Sequence, residues 1–113
     1  MDQRVSFITL GVQNLDGIVF YKLNGFIFAL FPASELAKEV FTVDDGGGFK
    51  RFSMAMNFAS EMEVDGVFNS LAQKGAKVIR RPEKVFWGGY RGYIADPEGN
   101  FWELAYNPFL EMD

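Results

Sequence analysis

The 113-residue sequence contains no cysteine and no histidine. Without cysteine the chain has no disulfide, no thiolate metal site and no cysteine nucleophile. Without histidine it lacks the commonest general base and the commonest transition-metal ligand, and Ser-His-Asp or Cys-His arrangements are impossible. These absences exclude much ordinary hydrolase chemistry and leave carboxylates as the main candidates for metal ligands.

Positive charge and long apolar runs are also scarce. Lys and Arg number 11 against 15 Asp and Glu, which gives a net charge of -4. Such a chain repels a phosphate backbone, so we expect no nucleic-acid partner. No apolar stretch reaches the length of a membrane span, and the sequence begins MDQRVSF, without a basic region followed by an apolar run. We therefore expect a cytoplasmic protein that does not associate with membranes.

The rest of the composition is that of an ordinary globular domain, with 49% hydrophobic and 23% charged residues. A chain of this length can bury a core that needs neither a disulfide nor a metal. We therefore predict a single domain over residues 1–113.

The hydrophobic pattern predicts alternating strands and helices. Runs of β-branched and aromatic residues predict strands at residues 5–12, 26–31, 52–58, 78–86, 90–95 and 101–106, and Asn24-Gly25 predicts a turn before the second of these. Helical spacing predicts helices at residues 14–22, 34–39 and 61–74.

Two of these elements carry clear local signals. Ser60 and Glu63 have the spacing of a capping box, and Gly75 follows the last apolar position of the helix at 61–74. The segment DPEG at residues 96–99 has the chemistry of a tight hairpin turn between the last two strands. We therefore predict a capped helix followed later by an antiparallel hairpin.

The two halves of the chain echo each other. FITLGVQN (7–14) aligns with SMAMNFAS (53–60), and GFIFALFP (25–32) aligns with NFWELAYNP (100–108), so that Phe26 falls on Phe101. Each half begins strand-helix and ends with a strand of the same pattern, which indicates a repeat of two modules, 1–52 and 53–113.

The order of elements, with TLGV (9–12) early in the first half and DPEGNFWELAYNP (96–108) closing the second, resembles the vicinal oxygen chelate superfamily. This superfamily includes glyoxalases, bleomycin-resistance proteins and extradiol dioxygenases. The resemblance implies an α+β fold in which two βαβββ-type modules place mixed sheets around a concave cavity.

The first half departs from the family pattern. A family first module has two more strands between its helix, which here ends at Phe20-Tyr21, and the strand matched by residues 25–31. About 20 residues are therefore absent by this analogy. We expect the junction of Lys22 and Leu23 to hide missing residues, with Cα atoms much farther apart than in a peptide bond; a natural deletion is the alternative.

The second departure concerns metal ligands. Metal-using members of the superfamily place ligands on the first and last strands of each module, and the repeat alignment puts Phe7, Phe28, Ser53 and Glu103 there. Among these only Glu103 binds a divalent ion well, and one carboxylate is not a site. We therefore predict no metal and no cofactor. Phe7 and Phe28 either line a ligand cavity or fill it.

Pairing across the 96–99 turn places the side chains of Arg91, Tyr93 and Glu103 on one face of the sheet. We expect this polar trio to line the concave side beside Phe7 and Phe28, with Trp87 either at the rim or packed within a hairpin turn. The opposite face should pack under the helices through Gly92, Ile94, Trp102 and Leu104. The alternative is an ion pair between Arg91 and Glu103 that ties neighbouring strands and binds nothing.

Two functions fit this pattern. The first is a metal-independent protein that binds a small apolar or aromatic molecule, as antibiotic-sequestering relatives do, through Phe7, Phe28, Trp87, Arg91, Tyr93 and Glu103. The second is a metal-dependent lyase or dioxygenase of the same superfamily. A dimer with a filled cavity is a third reading. We also expect a homodimer, because a first module short of strands leaves edges and apolar surface unpaired.

Overall fold

The computed structural model describes residues 7–13, 15, 17–23, 26–42 and 50–109. Its elements, in chain order, are β1 (Phe7–Val12), β2 (Val19–Leu23), β3 (Phe26–Pro32), α1 (Ala33–Glu39), β4 (Phe52–Asn57), α2 (Glu61–Gln73), β5 (Lys77–Lys84), β6 (Tyr90–Ala95) and β7 (Phe101–Tyr106). The strands form one seven-stranded mixed sheet, in the order β2-β3-β1-β4-β7-β6-β5. The predicted α+β class is confirmed. Neither helix in the described part of the chain has the length and apolar character needed to cross a bilayer.

The sheet is organised around its two central strands. β1 and β4 pair antiparallel, and each has a parallel neighbour on its outer side, β3 beside β1 and β7 beside β4. The second half therefore forms the complete series β4-α2-β5-β6-β7 of a βαβββ module. The first half places three strands in the described part of the sheet, in the order β1-β3-β2.

The predicted helix over residues 14–22 is wrong, because Val19–Leu23 forms strand β2. β2 pairs antiparallel with β3, with Lys22 opposite Ile27 and Leu23 opposite Phe26. Val, Phe and Tyr in this segment favour a strand. The predicted turn at Asn24-Gly25 lies outside the described residues. The predicted break between Lys22 and Leu23 is also wrong, since the two are consecutive residues of one paired strand.

The two helices lie on opposite faces of the sheet. On the α1 face, Leu36, Ala37 and Val40 pack against Tyr93. On the α2 face, Val64 and Phe68 pack against Ile94 and Leu104 in the larger of the two cores described here. Successive residues of a strand point to opposite faces of the sheet. α1 therefore covers the face that carries Tyr93, and α2 covers the face that carries Ile94 and Leu104.

The two strongest local predictions are confirmed. Ser60 caps α2, accepting a hydrogen bond at Oγ from the backbone N–H of Glu63 at 3.1 Å. The β6–β7 hairpin has the predicted register, with Tyr93 opposite Glu103 and Gly92 opposite Leu104. Asp96 supports the turn, because its Oδ1 accepts hydrogen bonds from the backbone N–H groups of Glu98 and Asn100.

Gly92 is expected to tolerate no side chain, because β5 bends closely over it. A Cβ at this position would lie 2.9 Å from the carbonyl oxygen of Arg80 and 2.9 Å from the nitrogen of Pro82. Backbone atoms cannot yield as a flexible side chain can, so we expect Gly92→Ala to lower the free energy of unfolding by about 2–3 kcal/mol. Urea denaturation measures this change.

Gly66 provides the matched control, since a Cβ there would meet no atom within 4 Å. It lies in the exposed middle of α2, where Ala is a better helix former, so Gly66→Ala should raise the stability by about 0.5–1 kcal/mol. A Gly92→Ala variant as stable as wild type would show that β5 does not pack over β6 in this way.

Candidate functional site

A cavity of about 790 Å³ lies on the α1 face of the sheet. Its lining comes from the sheet floor, from α1 and from the turn between β5 and β6. The lining residues include Thr9, Phe31, Leu36, Glu39, Glu83, Trp87, Arg91, Tyr93 and Glu103. The volume is in the range of cavities that take up small organic molecules.

Glu103 lies in the middle of β7, opposite Ala55 on one side and Tyr93 on the other. Its carboxyl lines the cavity but makes no hydrogen bond or ion pair with the described part of the chain. Burial, reinforced by the negative charge of Glu39 and opposed by Arg91, raises the pKa of Glu103 to about 7. Near neutral pH this carboxyl is therefore present in both protonation states.

Tyr93 stands beside Glu103 on the neighbouring strand. Its side chain is buried against α1, and its hydroxyl has no hydrogen-bond partner among the residues that the structure describes. Burial first, and the nearby Glu103 next, raise the pKa of Tyr93 well above its ordinary value. The phenol therefore remains protonated, and the floor of the cavity presents a hydroxyl donor next to a carboxyl.

Arg91 does not pair with Glu103, so the predicted alternative of an Arg91–Glu103 ion pair is wrong. Arg91 Nε lies 3.0 Å from Glu39 Oε1, and Arg91 Nη1 lies 3.5 Å from Glu83 Oε1. The cause is the position of α1, which brings Glu39 over β6. The Arg91 charge is therefore shared between carboxylates at the edge of the cavity.

Arg80 on β5 completes this network. It donates from Nε to the carbonyl oxygen of Glu39 at 2.9 Å and from Nη1 to Glu83 at 3.0 Å. Its guanidinium also lies 3.9 Å from the centre of the Phe41 ring, just beyond α1. The two arginines thus hold the C-terminal end of α1 against the sheet.

Glu39 and Glu83 were not among the predicted site residues. For Glu39 a signal was present in the sequence, because it follows Leu36 by three positions and so shares the face of α1 that packs on the sheet. Glu83 had no such signal. Its position depends on the register shifts of β5 around Pro82.

Phe7 and Phe28 lie on opposite faces of the sheet. Phe7 is opposite Ile27 and Ala55, so it shares the face of Glu103. Phe28 is opposite Ile8, and its ring stacks with that of Tyr21 at 6.3 Å on the α2 face. The expectation that Phe28 lies beside Glu103 is therefore wrong.

The error was a shift of one residue in aligning β3 with β7. When Ile8 is aligned on Met54, Thr9 of the first half corresponds to Ala55 of the second. In the sheet, Thr9 lies opposite Ala29 on β3, whereas Ala55 lies opposite Glu103 on β7. The counterpart of Glu103 in the first half is therefore Ala29, which is fully buried. Phe7, on the correct face, packs edge-to-face with Phe20 and is not part of the cavity lining.

Trp87 combines the two roles that the sequence left open. It lies in the turn between β5 and β6, closed by hydrogen bonds from Gly88 N–H to the Val85 carbonyl and from Val85 N–H to the Gly89 carbonyl, both 2.9 Å. Trp87 is 44% exposed and lines the cavity, and its indole lies directly over Gly89. The glycine permits this close approach of ring and backbone.

The residues at the positions where the resemblance implies metal ligands do not fit a transition metal. Phe7, Ser53 and Ala29 accompany Glu103 there, and a phenyl ring and a methyl group offer no lone pair. In the described ranges, no group of three or more Asp, Glu, His or Cys is placed to hold a metal ion. The donor set supplies one carboxylate only.

Comparison with known proteins gives one family. Residues 27–104 match the model of the Glyoxalase/Bleomycin resistance protein/Dioxygenase superfamily. A glyoxalase-related enzyme from Fulvimarina pelagi is 29% identical with a TM-score of 0.53, over 97% of this chain and 92% of that one. No curated protein matches the chain.

Two further solved structures share the fold at low identity. The Mn(II)-bound glyoxalase from Novosphingobium aromaticivorans is 16% identical with a TM-score of 0.56, over 92% of this chain and 40% of that one. A hypothetical protein from Bacillus halodurans is 11% identical with a TM-score of 0.65, over the whole of both chains. At such identities the likeness concerns the fold alone.

Proposed function

The chain belongs to the glyoxalase/bleomycin resistance protein/dioxygenase superfamily, and we propose that its α1-face cavity binds a small molecule with an apolar or aromatic body, without a metal ion. The observation that carries this proposal is the pair formed by Tyr93 and Glu103. Both line the cavity, and neither polar group has a hydrogen-bond partner in the described chain. Both oxygens open onto the cavity, so a ligand that enters it must pair with them or leave polar groups unpaired, which is costly.

The walls of the cavity suit the body of such a ligand. Phe31 and Leu36 are apolar, and Trp87 adds an indole face at the rim. Small-molecule sites combine mostly apolar walls with a few convergent polar groups, which fix the orientation of the ligand. The donor set supports metal independence, because Ala29 and Phe7 stand where metal-using relatives need ligands.

The test is native mass spectrometry of the purified protein together with elemental analysis. We expect no stoichiometric metal and a co-purified or added aromatic molecule bound in the cavity. Stoichiometric iron, manganese, nickel or zinc that disappears in Glu103→Gln would overturn the proposal and support the alternative, a metal-dependent lyase or dioxygenase.

A substitution at Gly89 should weaken ligand binding without unfolding the protein. A Cβ there would overlap the outer ring atoms of Trp87, which can swing away from the cavity. We expect Gly89→Ala to lower the affinity for an aromatic probe about tenfold, with a stability change below about 1 kcal/mol. Titration followed by Trp87 fluorescence in a Trp102→Phe background measures it, since the chain has only 2 Trp. Unchanged affinity would place the ligand away from Trp87.

We also propose that the protein assembles as a homodimer through the sheet edge formed by β2. Within the described ranges β2 is an edge strand, and its Phe20 and Tyr21 are 57% and 51% exposed, with Ile18 at 49% beside them. Exposed apolar side chains on an unpaired strand edge are typical of an association surface. In sedimentation, we expect the wild type to be dimeric and Tyr21→Lys to be monomeric; a monomeric wild type at high micromolar concentration would contradict the proposal.

A further inference from the structure

We infer that the cavity selects ligands that carry an ammonium group, held by the Glu103 carboxylate and by the aromatic walls. This inference rests on the proposed function and specifies the class of ligand. It follows from which charges around the cavity are already paired.

The cations beside the cavity are all engaged. Arg91 pairs with Glu39 and Glu83, at 3.0 and 3.5 Å. Lys84 also lines the cavity, but its Nζ lies 3.4 Å from Glu61 Oε2. Neither of the two cations that line the cavity is therefore left to form an ion pair with a further carboxylate inside it.

Among the carboxylates that line the cavity, some are paired with a cation and one is not. Four line the cavity, namely those of Glu35, Glu39, Glu83 and Glu103. The first is 3.0 Å from Lys38, and the next two contact Arg91. Glu103 alone among these four has no cation within ion-pairing distance. When ionised, it leaves the cavity with one unmatched negative charge, which a ligand cation would balance.

The aromatic side chains favour the same ligand. Phe31, Trp87 and Tyr93 line the cavity together with Glu103. The face of an aromatic ring carries partial negative charge and attracts an ammonium group, most strongly in a site withdrawn from water. A carboxylate-bearing ligand would instead meet the negative charges of Glu39, Glu83 and Glu103. A cavity of about 790 Å³ limits the ligand to a drug-sized molecule or a smaller one, such as an arylalkylamine.

Three probes of nearly equal shape test the inference: phenylpropylamine, phenylpropanol and phenylpropanoate. Their affinities are measured by titration calorimetry at about pH 8, where Glu103 is mostly ionised. We expect the amine to bind at least about tenfold more tightly than the alcohol, and the carboxylate to bind most weakly.

Glu103→Gln removes the charge at constant shape, so the tenfold preference for the amine over the alcohol should disappear. Glu98→Gln is the matched control, because it removes the same charge from the exposed 96–99 turn and should keep the preference. Circular dichroism checks that both variants are folded. The comparison of the three probes on the wild type needs no variant.

The outcomes separate the two proposals. Equal affinity for amine and alcohol would overturn the ammonium inference and leave the binding function standing. Tightest binding of the carboxylate would overturn it in favour of Arg91 as the anchor. No binding of any probe at millimolar concentration, in wild type and variants, would overturn the ammonium inference and the proposed function together.

Discussion

Replacing Arg91 with Met is expected to lower the free energy of unfolding by about 2–4 kcal/mol. The Arg91 side chain is only 8% exposed and contacts Glu39 and Glu83, on α1 and β5. Without the guanidinium, these two carboxylates face each other beside Glu103 with one cation fewer to separate them. The energetic cost is mainly that of the Glu39 carboxylate left without its cation at the edge of the core, because Glu83 keeps its pair with Arg80 at 3.0 Å and its contact with water.

Lys38→Met provides the control for this prediction. Lys38 pairs with Glu35 at 3.0 Å, but the two side chains are 74% and 55% exposed. An exposed pair contributes little, so we expect a change below about 0.5 kcal/mol. Urea denaturation of both variants measures the difference. Equal, small effects would show that Arg91 does not fasten α1 to the sheet.

The parts of the fold that were predicted correctly depend on local chemistry. Ser60 and Glu63 cap α2 because their spacing along the chain decides the contact. The turn at 96–99 sets the register of β6 and β7, and that register alone brings Tyr93 opposite Glu103. Two central members of the candidate site were therefore readable from one short segment.

The errors arose where the structure depends on long-range packing or on a single residue of register. The alignment of β3 with β7 was wrong by one residue. It therefore assigned Phe28 to the face of Glu103, where the structure has Ala29. No local signal placed α1 over β6, so the partner of Arg91 was missed. Glu39 reaches Arg91 from 52 residues away in the sequence.

Tyr93 and Glu103 are not the residues that stability alone would place on the sheet floor. Tyr93 and Glu103 occupy the sheet floor without partners, although Ala29 shows that an apolar residue fits the equivalent place in the first half. Sites of ligand binding commonly keep polar groups that the fold alone does not need. Removing the Glu103 charge should therefore make the protein more stable while weakening its binding of an ammonium ligand.

Replacing Glu103 with Gln is accordingly expected to raise the free energy of unfolding at about pH 8 by roughly 1–3 kcal/mol and to change it little at about pH 4. Burial raises the pKa of Glu103 to about 7 in the folded protein, whereas an unfolded chain titrates at about 4.3. Between these values the folded state binds more protons than the unfolded state, so stability falls as the pH rises. The Glu103 contribution is complete below the unfolded pKa and is lost as the pH rises through the folded one. Because the Glu103 carboxyl contacts the cavity and its water, the loss of unfolding free energy should be smaller than the full pKa shift implies.

Denaturant unfolding at a series of pH values tests this prediction, and the absence of histidine removes the side chain that normally titrates in the same range. The wild type should lose stability between about pH 5 and pH 8 relative to Glu103→Gln, whereas Glu98→Gln should follow the wild type. Parallel profiles for wild type and Glu103→Gln would contradict the prediction, because they would mean that the carboxyl is solvated or has a partner in the folded protein. A saturating arylalkylamine should abolish the wild-type decline, since the bound cation stabilises the ionised carboxylate that burial disfavours.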